Sequence, residues 1–87
     1  MHAHVVHVDI QDVAEAEKGV NDTVIPNLKK APGFVGAYFV AIDDTHGVSV
    51  AVFDTEEQAS AAAPPARATG QGVTMTSVET GRVVGAA

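Results

Sequence analysis

The chain has no cysteine, no tryptophan and a single tyrosine, and it carries only five basic residues against eleven acidic ones. Each shortage closes a class of function. Without cysteine there is no disulfide framework, no thiolate cage for a metal and no thiol nucleophile. A formal charge of −6 with pI near 4.9 leaves no basic stripe to displace counterions from nucleic acid and no polybasic patch for anionic lipid. No apolar run approaches the ~20 residues of a membrane span, and Met1-His2-Ala3-His4 lacks the basic start and long apolar stretch of a signal peptide. The expectation is a cytoplasmic protein with no nucleic-acid and no membrane partner.

What is present is a foldable pattern. The 87 residues, 46% hydrophobic, are too apolar for a disordered chain and too few for two cores, so residues 1–87 make one domain. A domain of this size buries only a little over ~60% of its unfolded surface, and a partner helps it. Val5 to Ile10 alternates, with His4, Val6, Val8 and Ile10 on one face and Val5, His7 and Asp9 on the other. Asp12 reads as an N-cap, followed by the apolar stripe Val13, Ala16, Val20, Val24, Leu28. Gly19 and Pro26 disagree with that helix, and Pro26 predicts a bend just before it. Ala31-Pro32-Gly33 ends it.

Phe34 to Ile42 reads as a second strand, Asp43 to Gly47 as a hairpin loop and Val48 to Phe53 as a third strand. Thr55-Glu56-Glu57-Gln58 is a capping box that starts a second, alanine-rich helix, stopped at Pro64-Pro65. The small residues from 66 to 72 read as an exposed loop, and Val73 to Val84 as a fourth strand in which Gly81 marks a bulge or bend. The order βαββαβ predicts an α+β fold of ferredoxin-like type: a four-stranded antiparallel sheet with two helices on one face. The bare face of that sheet is apolar enough to predict a homodimer built sheet to sheet.

The segments Val24-Ile25-Pro26-Asn27-Leu28, Ala31-Pro32-Gly33-Phe34-Val35-Gly36 and Val50-Ala51-Val52-Phe53-Asp54-Thr55-Glu56-Glu57, in this element order, resemble the dimeric α/β-barrel superfamily. Within it, they are most similar to the antibiotic-biosynthesis-monooxygenase-like small proteins. The resemblance covers roughly residues 4 to 84 and implies a dimeric α/β barrel with a pocket between sheet and helices. It also implies cofactor-independent monooxygenase or cyclase chemistry on aromatic, polyketide-like molecules. The tryptophan that the oxygenase and haem-degrading branches use is missing here, which argues against haem degradation.

Several side chains are candidates for chemistry. His2 and His4 share a strand face at metal-pair spacing, yet no third ligand is near in sequence, so a solvated N-terminal histidine is the plainer reading. His7 lies mid-strand beside Asp9, where a carboxylate could orient an imidazole as general base; the bland alternative is a histidine satisfied across a subunit interface. Tyr38 could steady a developing oxyanion, or bury its ring and bond a backbone group. Asn21, Phe34, Phe39 and Phe53 are the candidate pocket wall, His46 a loop residue, and the pairs Asp43-Asp44 and Glu56-Glu57 belong to a turn and a helix start. Two functions fit these residues. One is an enzyme that takes a proton from a phenol or 1,3-dicarbonyl with His7 as base and Tyr38 on the oxyanion, with no cofactor and no metal. The other is a non-catalytic dimeric module that binds a small apolar or aromatic ligand.

Overall fold

The computed structural model describes residues 1–65 and 69–87. Its centre is β1 (His2–Ile10), a run rich in valine that pairs on both sides, with β3 (His46–Phe53) and with β5 (Val73–Arg82). β2 (Phe34–Ala41) lies outside β3, and a two-residue β4 (Thr69–Gly70) lies outside β5. All pairs are antiparallel, in the order β2-β3-β1-β5-β4. The α+β class and the placement of the long strands follow the sequence pattern, but the sheet has five strands where four were expected. The extra one arises because Thr69 and Gly70 fold back on Thr74 and Val73. The loop expected from 66 to 72 thus reduces to a tight turn at its far end, and residues 66–68 lie outside the described residues.

The first helix begins where Asp12 caps it, its Oδ1 accepting the Glu15 N–H at 3.0 Å. It runs as α1 (Val13–Gly19), a π-helical turn (Val20–Val24) and α2 (Ile25–Lys29). The π turn is the form taken by the bend expected before Pro26. Proline has no N–H to return to the carbonyl four residues back, and the ladder widens so that the Ile25 N–H reaches the Val20 carbonyl, five residues back. Gly19 also finds its reason. A Cβ there would sit 3.0 Å from the Cβ of Gln71, because the β4–β5 turn packs on α1 and Gln71 Nε2 donates to Glu15 Oε2 at 2.6 Å.

α3 (Glu56–Ala62) starts on the expected capping box: Thr55 Oγ1 accepts the Gln58 N–H and Gln58 Oε1 accepts the Thr55 N–H, both at 3.2 Å. It lies against β1, β3 and β5. Its inner face carries alanine, whose single methyl group lets backbone and sheet approach, and Ala59 is fully buried. Beneath it Leu28, Ala51 and Phe53 complete the buried cluster, with Phe34 and Phe39 packed at its edge.

Two local expectations are corrected. Gly81 sits in regular register opposite Ala3, and the irregularity in β5 is at Thr76, the extra residue between Ser77 (opposite His7) and Met75 (opposite Val8). Its hydroxyl donates to the His7 carbonyl at 3.1 Å. This bulge changes the parity of β5, so that Val73, Met75 and also Val78 (opposite Val6) share the helix side; strict alternation would have put Val78 on the other face. His2, read as part of a fraying terminus, is held in the sheet between Phe53 and Arg82.

The helices all lie on one face. The other carries Val5 and His7 of β1, Tyr38 and Val40 of β2, and Val48, Val50 and Val52 of β3, with no helix over them.

Gly72 has φ +74°, its carbonyl accepts from Gln11 and Asp12, and an added Cβ would lie 2.7 Å from the Asp12 carbonyl oxygen. Gly72→Ala is expected to cost about 1–3 kcal/mol in urea denaturation, whereas Gly81→Ala, with open space around it, changes stability little.

Candidate functional site

Between the first helix and the sheet are two cavities of about 400 Å³ each. They are separated by Val20 from the π turn and Phe39 from β2, which border both. The first opens toward the sheet edge, with Glu17 and Asn21 on the helix side and Ala37 to Ala41 of β2 opposite. The second is more enclosed by hydrocarbon: Val6, Val8, Leu28 and Met75 line it, with Thr23, Asn27, Ser49 and His4 as its polar members. Both exist because the two helices meet the sheet differently. α3 presents methyl groups and lies flush. The first helix presents valine, leucine and threonine across a widened turn and stands over a space.

His4 is the ionisable side chain of the second cavity, and the reading of a solvated histidine does not hold for it. The residue is 4% exposed, and its ring packs against Phe53 with centroids 5.6 Å apart. Its Nδ1 lies 3.1 Å from the Ala59 carbonyl oxygen. A carbonyl only accepts, so Nδ1 carries the proton. The acceptor is one of the carbonyls that every helix leaves over in its last turn: the Ala63 N–H, which would complete the α-helical bond to Ala59, goes to Ser60 instead. His4 therefore closes α3 from the central strand. Sequence reasoning missed this role because the partner is a backbone atom 55 positions away. The one available signal was that His4 shares a face with Val6, Val8 and Ile10.

The other candidates are spread over the molecule. Phe39 and Asn21 do line cavities, and Asn21 Nδ2 donates to the Glu17 carbonyl of its own helix at 2.8 Å. Phe34 and Phe53 meet edge to face, 5.7 Å between centroids. Phe53 is fully buried, and neither ring is among the described residues lining the two cavities. His7 and Tyr38 are both exposed, Tyr38 at 79%, on the sheet face away from the helices. β3 lies between their strands, which separates them by about 10 Å at the usual strand spacing.

Asp9 pairs across the sheet rather than with His7 on its own strand. His46, read from the sequence as a loop residue, is the first residue of β3 and lies opposite Asp9. Its Nε2 is 4.0 Å from Asp9 Oδ1 and its Nδ1 3.2 Å from Asp43. Asp43 builds the β2–β3 turn. Its Oδ1 accepts the backbone N–H groups of Thr45 and His46, each at 2.8 Å, and the Thr45 hydroxyl at 3.0 Å. The Thr45 N–H and hydroxyl, helped by His46, hold the Asp43 carboxyl below its ordinary value against the opposing effect of desolvation. Among the described residues no group of three or more histidines or carboxylates is placed to hold a metal ion, and no helix is long and apolar enough to cross a membrane.

Comparison with family models, curated proteins and solved structures returned no match to this chain. The functional reading rests on geometry alone.

His4→Phe keeps a ring beside Phe53 but leaves the Ala59 carbonyl without its donor. Urea denaturation should show a loss of about 1–3 kcal/mol, the cost of an unpaired buried acceptor. His7→Phe, at an exposed position of the same strand, should stay within about 0.5 kcal/mol of the parent.

Proposed function

We propose that this chain is a ferredoxin-like domain that pairs through its open sheet face into a dimeric α/β barrel. Each subunit holds a small apolar or aromatic molecule between its sheet and its first helix. The observation that carries the binding reading is the second cavity: about 400 Å³ lined mainly by aliphatic side chains, with one oriented imidazole and a few neutral polar groups at its wall. A volume of this order suits a molecule of one or two fused rings. Space of this kind left by a helix that fails to close on its sheet costs dispersion contacts on both walls, and a ligand restores them.

The pairing reading rests on the strand order and the open face. Four long strands in the order β2-β3-β1-β5, with both helices on one side, are what a ferredoxin-like fold requires, and β4 is a short addition at the β5 edge. The face left bare is formed chiefly of valine, with Val40 and Tyr38 well exposed. A second copy presenting the same face buries these side chains through a self-complementary contact, and at −6 per chain the apolar centre must outweigh the mutual repulsion.

The binding reading is better supported than turnover. Cofactor-independent oxygenation or cyclisation with His7 as base and Tyr38 on the oxyanion would need the substrate to lie on the open face and to reach across β3. What supports it is only that the two residues share that face.

Sedimentation velocity is the check on pairing: a dimer is expected at micromolar concentration, and Val50→Lys, at the middle of the bare face, is expected to sediment as a folded single subunit. A parent chain that stays a stable monomer would exclude the barrel. For the cavity, titration with 1-naphthol followed by amide NMR should shift residues around Val8, Val20, Leu28 and Met75; shifts confined to the outer sheet face would exclude that binding site.

A further inference from the structure

We infer that the Nε2 atom of His4 is the recognition group of the second cavity, and that it selects ligands bearing an acidic hydroxyl, a phenol or an enol, over otherwise equal molecules that lack one. The inference rests on the reading of that cavity as a site for an aromatic molecule and adds the chemistry of what enters it.

The Ala59 carbonyl is left over by its helix, and the His4 Nδ1–H answers it at 3.1 Å. That bond sets the tautomer. In the neutral ring the lone pair then belongs to Nε2, which can only accept. The ring cannot turn over to exchange the two nitrogens without leaving the Ala59 carbonyl unpaired, and Phe53 packs against it. The acceptor is therefore fixed in direction as well as in kind.

Thr23, Asn27 and Ser49 share the cavity with His4, and none of them bonds its Nε2. Nε2 has no hydrogen-bond partner among the described residues, and the one fully occluded, unpartnered side-chain nitrogen among them is Nδ1 of His2. The free nitrogen of His4 is thus not sealed in the core, and the space its residue borders is the cavity. Val6, Val8, Leu28 and Met75 line the same cavity, so a hydroxyl entering with an aromatic body takes the place of water at Nε2 while its rings lie against hydrocarbon. A ketone or an ether offers Nε2 only further lone pairs. A hydrogen bond made in such a setting is worth about tenfold in affinity.

The full chain, with its histidines 15N-labelled, is titrated with 1-naphthol and separately with 1-methoxynaphthalene, which has the same ring system and no hydroxyl. Long-range 1H–15N spectra report the state of each ring nitrogen. In the parent, His4 should show a protonated Nδ1 and a bare Nε2 whose resonance moves on adding 1-naphthol and stays in place with the methyl ether. The Kd for 1-naphthol should be about tenfold lower than for the ether. In His4→Phe, checked as folded by its amide spectrum, the two should bind within about twofold of each other. Equal affinity in the parent, with amide shifts around the cavity for both probes, overturns the inference and leaves the cavity standing. A proton found on Nε2 overturns it without any ligand, a result that holds even if His4→Phe fails to fold. If neither probe binds, the reading of the cavity fails and this inference with it.

Discussion

The closeness of α3 to the sheet governs the rest of the molecule. Ala59 on the helix and Ala51 on β3 are almost wholly inaccessible, so methyl groups meet across this contact, and Phe53 fills the space beside them. A helix in flush contact has no room for longer side chains, and the closure of its last turn has to come from the sheet. His4 provides it, from the strand on which both halves of the sheet pair. Removing that contact would affect the end of α3, the tautomer of His4 and the wall of the second cavity together.

The first helix solves a different problem with different residues. Pro26 cannot donate, so the backbone opens into a π turn and the stripe Val13, Ala16, Val20, Val24, Leu28 changes direction midway. A straight helix would lay that stripe along the sheet as one seam. With the turn widened, Leu28 is buried while Val13 and Val24 remain partly exposed, and Val20 is left as a partition between two cavities. A conformational irregularity in one turn thus becomes space on the inner face of the sheet, next to the imidazole that the Ala59 carbonyl orients.

Much of the fold was legible because its signals are local. Asp12 and Thr55 each bond a backbone N–H three residues on, Pro26 acts on its own turn, and Gly33 and Gly72 sit where φ is positive. Two of the misses depend on residues far apart in the chain: the bulge at Thr76 is defined only against His7 and Val8 of β1, and Gly19 is needed only because Gln71 packs against it. The third, β4, is a short local pairing of Thr69 and Gly70 with Thr74 and Val73, which small and polar residues do not signal by alternation. The candidate site divides as well. Of the four residues expected at a pocket wall, Asn21 and Phe39 border a cavity while Phe34 and Phe53 do not. His7 and Tyr38 were grouped by residue type, and β3 separates them.

Alternation, caps and turn residues were enough to define the four long strands, the two helical segments and their order, because backbone hydrogen bonding and side-chain period act over a few neighbouring positions. Tertiary structure alone decided which histidine faces inward with an acceptor to spare, where the parity of β5 changes, and how much space remains beneath the first helix. Those outcomes depend on atoms brought together from opposite ends of the chain, and no local period encodes the distance at which two packed surfaces come to rest.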